Sequence, residues 1–135
     1  MRMKPTIAER NKQLVLNAFD ALFNRRDYDA PSTMWSEDYI QHSPHIAPSR
    51  AGLFDRARSL LALRYENALA VAEGDYVVLH GRFTGNGQSR PMIVANILRV
   101  EGERLAEHWD VVQDEATAEE SKSGLPMIGA HFFVE

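Results

Sequence analysis

A chain of 135 residues with 44% hydrophobic and 25% charged side chains has the size and balance of a single folded domain, 1–135, which excludes a disordered or fibrous protein. A net charge of -4, with Lys and Arg scattered along the chain, excludes the basic footprint of a nucleic-acid binder. The lack of cysteine removes disulfides, thiolate nucleophiles and Cys-based zinc sites; with a polar start from Met1 to Arg10 and no apolar run of membrane-spanning length, the expectation is a cytoplasmic protein that engages no membrane.

Thr6 to about Asn24 reads as a helix, since Val15, Ala18, Phe19 and Leu22 recur at the spacing of one helical face. Thr6 and Glu9 have the spacing of a capping box that starts it, with Pro5 just outside. A short helical turn around Pro31 to Trp35 is expected next. The stretch Tyr39-Ile-Gln-His-Ser-Pro-His45 then reads as a loop carrying two histidines, because Pro44 and Pro48 forbid a continuing helix or an interior strand. A second helix is expected from Ser49, as its N-cap, to about Leu63, on the spacing of Leu53, Ala57, Leu60 and Leu61.

After Arg64 the pattern changes to strands divided by turn signals, at 66–73, 76–84, 90–100 and 104–113, with Gly74-Asp75, Asn86-Gly87 and Glu101-Gly102 between them. Helices followed by a run of strands predict an α+β fold, with N-terminal helices packed on a curved antiparallel sheet. The tail from Asp114 carries no firm element beyond a possible pairing at His131 to Val134.

Side chains two apart on a strand share a face, which groups Met92, Val94, Asn96 and Leu98 on one strand and Ala106, His108, Asp110 and Val112 on the next. With Glu101 to Glu103 as the turn, Asn96 is expected opposite His108 and Asp110 one step further on. A turn one residue shorter reverses that relation. The other parity, Leu105, Glu107, Trp109 and Val111, is equally apolar, so both faces are candidates for burial and a homodimer across the outer one is expected. Asp110 and His108 can equally be a structural pair, His42 a loop residue capping backbone groups, and His45 plain solvent-exposed surface. No HxH or HxxxH spacing lies on one element, so neither a metal nor a cofactor is expected. Trp35, Trp109, Phe19 and Phe54 read as core or interface, and Asn86-Gly87 as a hairpin turn rather than a phosphate loop.

Three stretches, Tyr39 to His45, Ala72 to His80, and Ile97 to Val112 with its Glu107-His-Trp-Asp110 run, together resemble the SnoaL-like polyketide cyclase family, within the nuclear-transport-factor-2-like superfamily. The resemblance runs from the first helix to about Gln113. It implies a cone of helices on a curved sheet that commonly dimerises, with Asp110 as the acid/base carboxylate and His42 and His108 as pocket residues. Tyr39, Val94, Asn96 and Val112 would contact substrate. Many family members have Asp where this chain has Asn96, which cannot take a proton, and Asn where it has Ser43.

The activity expected is proton transfer at a carbon next to a carbonyl, as in an aldol closure or an isomerisation. Asp110 would take the proton while His42 or His108, with Asn96, hydrogen-bonds the enolate oxygen of a small apolar or carbonyl-bearing molecule. The alternatives are a non-catalytic module for a small apolar ligand or for dimerisation, and an epoxide hydrolase-like addition of water. The last needs a second carboxylate, for which Asp38 and Glu107 are the candidates.

Overall fold

The computed structural model describes residues 3–134. In chain order it contains helix α1 (Ile7–Phe19), which passes into a π-helical turn (Asp20–Asn24), the short helix α2 (Pro31–Met34), strand β1 (Trp35–Gln41), helix α3 (Ser49–Ser59), and strands β2 (Arg64–Glu73), β3 (Tyr76–Thr84), β4 (Met92–Glu101) and β5 (Arg104–Asp114). The five strands form one sheet in the order β1-β5-β4-β3-β2, with the helices on its inner face. This is the expected α+β cone, with one addition. β1 joins the sheet parallel to β5, so the sheet is mixed where the sequence predicts an antiparallel one of four strands.

Both ends of the first helix have clear physical causes. The Thr6 hydroxyl accepts the Glu9 N–H at 3.1 Å and the Glu9 carboxylate accepts the Thr6 N–H at 3.1 Å, completing the capping box. At the far end Asn24 binds the Tyr65 backbone in both directions, donating to its carbonyl at 2.9 Å and accepting its N–H at 2.8 Å. That pair fastens the π-turn to the start of β2. Between these ends Val15, Ala18, Phe19 and Leu22 are buried, as their spacing predicts, and Phe19 meets Tyr65 edge-on at 5.2 Å.

Helix α3 departs from expectation at both ends. Ser49 does not cap it: Pro48 holds the N-cap position without a side-chain bond, and Ser49 sits at φ 73°. The helix stops at Ser59 rather than Leu63, and Ala62 then packs so closely on Gly85 that no side chain fits there. Arg50 ties its start to the preceding elements by donating to the carbonyls of Ser32 (2.6 Å) and Trp35 (3.1 Å). Between β3 and β4 the chain takes a longer loop, 85–91, with Asn86 buried inside it, in place of a tight Asn-Gly hairpin.

The β4–β5 register corrects the predicted one by two residues. The turn is short, with Glu101 opposite Arg104, which alone would reverse the faces. A bulge at Ala106 then inserts one extra residue, so that Val100 pairs with Leu105 but Arg99 pairs with Glu107. Asn96 consequently lies opposite Asp110, and His108 opposite Leu98. The predicted parity survives from His108 onward. Leu105 does not: expected on the outer face, it is fully buried inside, next to Ala106.

The tail after Asp114 contains turns only, and the pairing expected at His131 to Val134 is not formed. Its anchors are Ile128, which is buried, and Glu115, whose carboxylate takes two bonds from Arg82 at 2.7 and 2.6 Å. Removing one partner of such a buried pair typically costs about 3–5 kcal/mol.

Candidate active site

Between the inner face of the sheet, the end of α1 and α3 lies a cavity of about 140 Å3. Its walls are apolar: Phe19, Phe23, Leu53, Leu63, Phe83 and Val94 contribute to them. The polar groups collect on the side made by β1, β4 and β5, where Tyr39, Asn96, His108 and Asp110 come together, with Val112 beside them. Six of the seven residues singled out from the sequence therefore reach one cavity.

His42 does not. In a loop its side chain could turn either way, but Tyr39 to Gln41 belong to β1, and the His42 N–H continues the ladder to the His108 carbonyl at 2.9 Å. Strand alternation then sends Tyr39 and Gln41 inward and Ile40 and His42 outward. On the outer face the His42 ring stacks on Trp109 (centroids 4.9 Å, interplanar angle 4°) and its Nε2 lies 2.7 Å from Glu107. The His42 bond, followed by that from Arg99 at 2.9 Å, holds the Glu107 carboxyl below the ordinary carboxylate range. Glu107 is thus on the wrong face to be a second pocket carboxylate, and Asp38 is exposed outside the cavity. Among the described residues Asp110 is the one carboxylate on the cavity wall, and it takes part in no salt bridge with them.

The residue facing His108 from β1 is Gln41, which the sequence reading passed over. Its amide cannot turn, because Oε1 accepts the Ser43 N–H at 3.0 Å and Nε2 donates to the Tyr39 hydroxyl at 3.0 Å. His108 Nδ1, 2.7 Å from that same Oε1, must therefore carry a proton. Burial pushes the His108 pKa down to about 4, against the pull of the Asp110 charge, so the ring is neutral and its Nε2 is an acceptor. Asn96 Oδ1 is placed 2.9 Å from Nε2; with Nε2 an acceptor, the bond requires the amide turned end for end so that its nitrogen donates. As placed, the other end of the amide, Nδ2, is left without a protein partner.

That feature recurs around the cavity. Trp35 Nε1, Ser43 Oγ, Asn86 Nδ2 and one end of the Asn96 amide are buried without a protein partner, and all four residues line it. A buried polar group left unsatisfied costs about 1–3 kcal/mol, so the cavity is suited to a molecule that carries oxygen acceptors on an apolar body. Tyr39 adds a further hydroxyl. Burial raises its pKa well above the ordinary phenol value, with the Asp110 charge adding to the rise, so it remains an O–H donor. Among the described residues no group of His, Asp and Glu is arranged to hold a metal ion.

Sequence reasoning missed Gln41 because β1 was hidden, and placed Trp35 in the core without its N–H. A signal for the first was present: Trp35, Tyr39 and Gln41 share one parity, and Ile40 and His42 the other.

Helices closed over a curved sheet thus enclose an apolar cavity with a polar patch at its base. The model of the SnoaL-like domain matches residues 15–108, and the chain belongs to that family. Solved structures with the same fold include a proposed ketosteroid isomerase from Kribbella flavida, 18% identical over 81% of this chain and 82% of that one, with a TM-score of 0.70. A proposed polyketide cyclase from Acidithiobacillus ferrooxidans is 20% identical over 81% and 92%, with a TM-score of 0.65. An NTF2-like protein from Cytophaga hutchinsonii is 17% identical over 84% and 95%, with a TM-score of 0.68. No curated protein matches the chain.

Proposed function

We propose that the cavity takes a small, largely apolar carbonyl compound and that Asp110 removes a proton from the carbon next to the carbonyl. The observation that carries this reading is a lone carboxylate, free of salt bridges, on an apolar cavity whose other polar groups include donors without partners. A carboxylate in such surroundings is a competent base, and the Trp35 N–H and Tyr39 O–H are groups that can stabilise the enolate oxygen as charge develops on it. His108 has both ring nitrogens occupied and acts as a positioning residue, holding Asn96 on one side and Gln41 on the other. Such a step serves either an aldol closure or an isomerisation. Water addition to an epoxide finds no second carboxylate on the cavity wall.

The test is solvent deuterium exchange at the methylene of phenylacetone, followed by proton NMR. The wild type accelerates exchange and Asp110→Asn loses about 10²- to 10⁴-fold of that acceleration while melting at the same temperature. Wild-type exchange no faster than buffer sinks the proton-transfer reading and leaves a binding module.

The partner proposed for the outer sheet face is a second copy of the chain. Leu69, Val71, Tyr76 and Val111 are 49–67% exposed there, a large apolar surface for a monomer to leave in water. Sedimentation at micromolar concentration should give a dimer, and Val111→Lys should shift it toward monomer. A clean wild-type monomer argues against this assembly.

A further inference from the structure

The cavity has a second polar end that proton transfer does not use. Where α3 meets the 85–91 loop, Arg56 and Leu60, one helical turn apart, line the wall together with Asn86 and Gln88. Leu60 also packs near Gly87, which brings helix and loop together at this point. The Arg56 guanidinium has no carboxylate partner among the described residues: the nearest acid on its helix, Asp55, pairs with Arg58 at 3.5 Å. The other arginines either bind carbonyls and acids elsewhere or lie off the cavity wall.

Asn86 supplies an independent observation. It is 4% exposed, and its Oδ1 accepts the Gln88 N–H at 3.3 Å, which fixes the amide so that Nδ2 is the free end. That Nδ2 is one of the buried groups on the cavity wall without a protein partner. A free guanidinium and a fixed, desolvated amide N–H on one rim are all donors, and one of them carries a full positive charge. Anionic oxygen is the chemical complement of both. Arg56 is the one arginine or lysine among the described lining residues, with His45 the nearest in kind, and a single guanidinium favours a carboxylate over a doubly charged phosphate.

We propose that this rim is a carboxylate-binding subsite formed by Arg56, Asn86 and Gln88, so that the molecule taken by the pocket is an apolar keto acid rather than a neutral ketone. The inference rests on the pocket reading above and extends it to the opposite end of the ligand. The carboxylate is held at the rim, the apolar body fills the cavity, and the carbonyl lies toward Tyr39 and Asp110. The opposed charges of Arg56 and Asp110 fix the direction of entry, because a carboxylate is attracted by one and repelled by the other.

The experiment is calorimetric titration with 3-phenylpropionate and with 3-phenylpropan-1-ol, a neutral molecule of the same skeleton. In the wild type the acid binds about tenfold more tightly than the alcohol, as a charge-assisted contact at a partly exposed rim supports. Arg56→Gln removes that advantage and leaves the affinity for the alcohol unchanged, and Gln88→Glu, which adds a negative charge on the exposed rim, weakens the acid alone. Equal affinities in the wild type, or an acid preference that survives Arg56→Gln, overturns the subsite while the alcohol's binding keeps the pocket. If neither probe binds, the pocket reading falls and the subsite with it. Asp110→Asn separates the chemistry, since the acid preference persists in that variant whether or not proton exchange is lost.

Discussion

His42 and His108 stand on neighbouring strands, paired almost side by side, and have little else in common. His108 is 5% exposed, held between two amides, and depressed to about 4 by burial. His42, across the sheet, lies against Trp109 and a carboxylate with a large part of its side chain in solvent. The difference shows that a histidine's chemistry here is set by which face its strand parity assigns it. Identity and proximity in sequence to the motif say little. The same division separates the two nearby acids: Glu107 is spoken for by Arg99 and His42, whereas Asp110 faces the cavity unpaired.

Carboxylate-to-amide changes on the two faces give the sharpest test of this division. If inner and outer faces differ as described, Asp110→Asn removes most of the deuterium exchange, and Glu107→Gln leaves its rate within about twofold while weakening only the outer-face contacts to His42 and Arg99. Equal losses from both would break the comparison.

A smaller effect is expected in the pH dependence of stability. His108 has a folded pKa below its unfolded value of 6.5, so the unfolded chain binds its proton first as pH falls. The contribution is therefore complete above about pH 6.5 and is lost progressively as pH drops toward 4. Urea denaturation across that range should show the slope, and His108→Gln should flatten it whatever its baseline stability. A slope unchanged in His108→Gln places the titrating group elsewhere. The smallest change is expected from His42→Gln, which keeps a hydrogen-bonding side chain on the outer face: a shift of under about 1 kcal/mol and no change in deuterium exchange. A large loss of exchange in that variant would return His42 to the site.

What could be read from the sequence follows from which physical signals are local. The first helix was legible because Thr6, Glu9 and the apolar stripe from Val15 to Leu22 act within a few residues of one another. The inward parity of Asn96, His108 and Asp110 was legible because alternation persists along long strands. β1 was not, since Ser36, Glu37 and Asp38 interrupt its apolar alternation and the nearby prolines read as loop signals, while its pairing partner lies some seventy residues away. That single omission misplaced His42, hid Gln41, and with it the reason His108 holds its proton on Nδ1. The rim at Arg56 and Asn86 was equally out of reach, because a helix end and a loop brought together by the packing of Leu60 near Gly87 and of Ala62 on Gly85 leave no periodic trace.

The bulge at Ala106 also governs how this strand tolerates changes of length. Substitutions along β5 alter one side chain at a time, but the extra residue sets the phase of everything after it. Were Ala106 drawn into the ladder opposite Arg99 with the short turn kept, Asn96 would oppose Trp109, delivering Trp109 and Val111 to the cavity and Asp110 to the outside, whereas deleting Ala106 would leave Val100 opposite Leu105 and Arg99 opposite Glu107 as they are. Whether this one residue is bulged or laddered thus acts as a reading frame for the two faces. A change of length between Glu103 and Glu107 spares the pocket only where the extra residue is shed or taken up at the bulge.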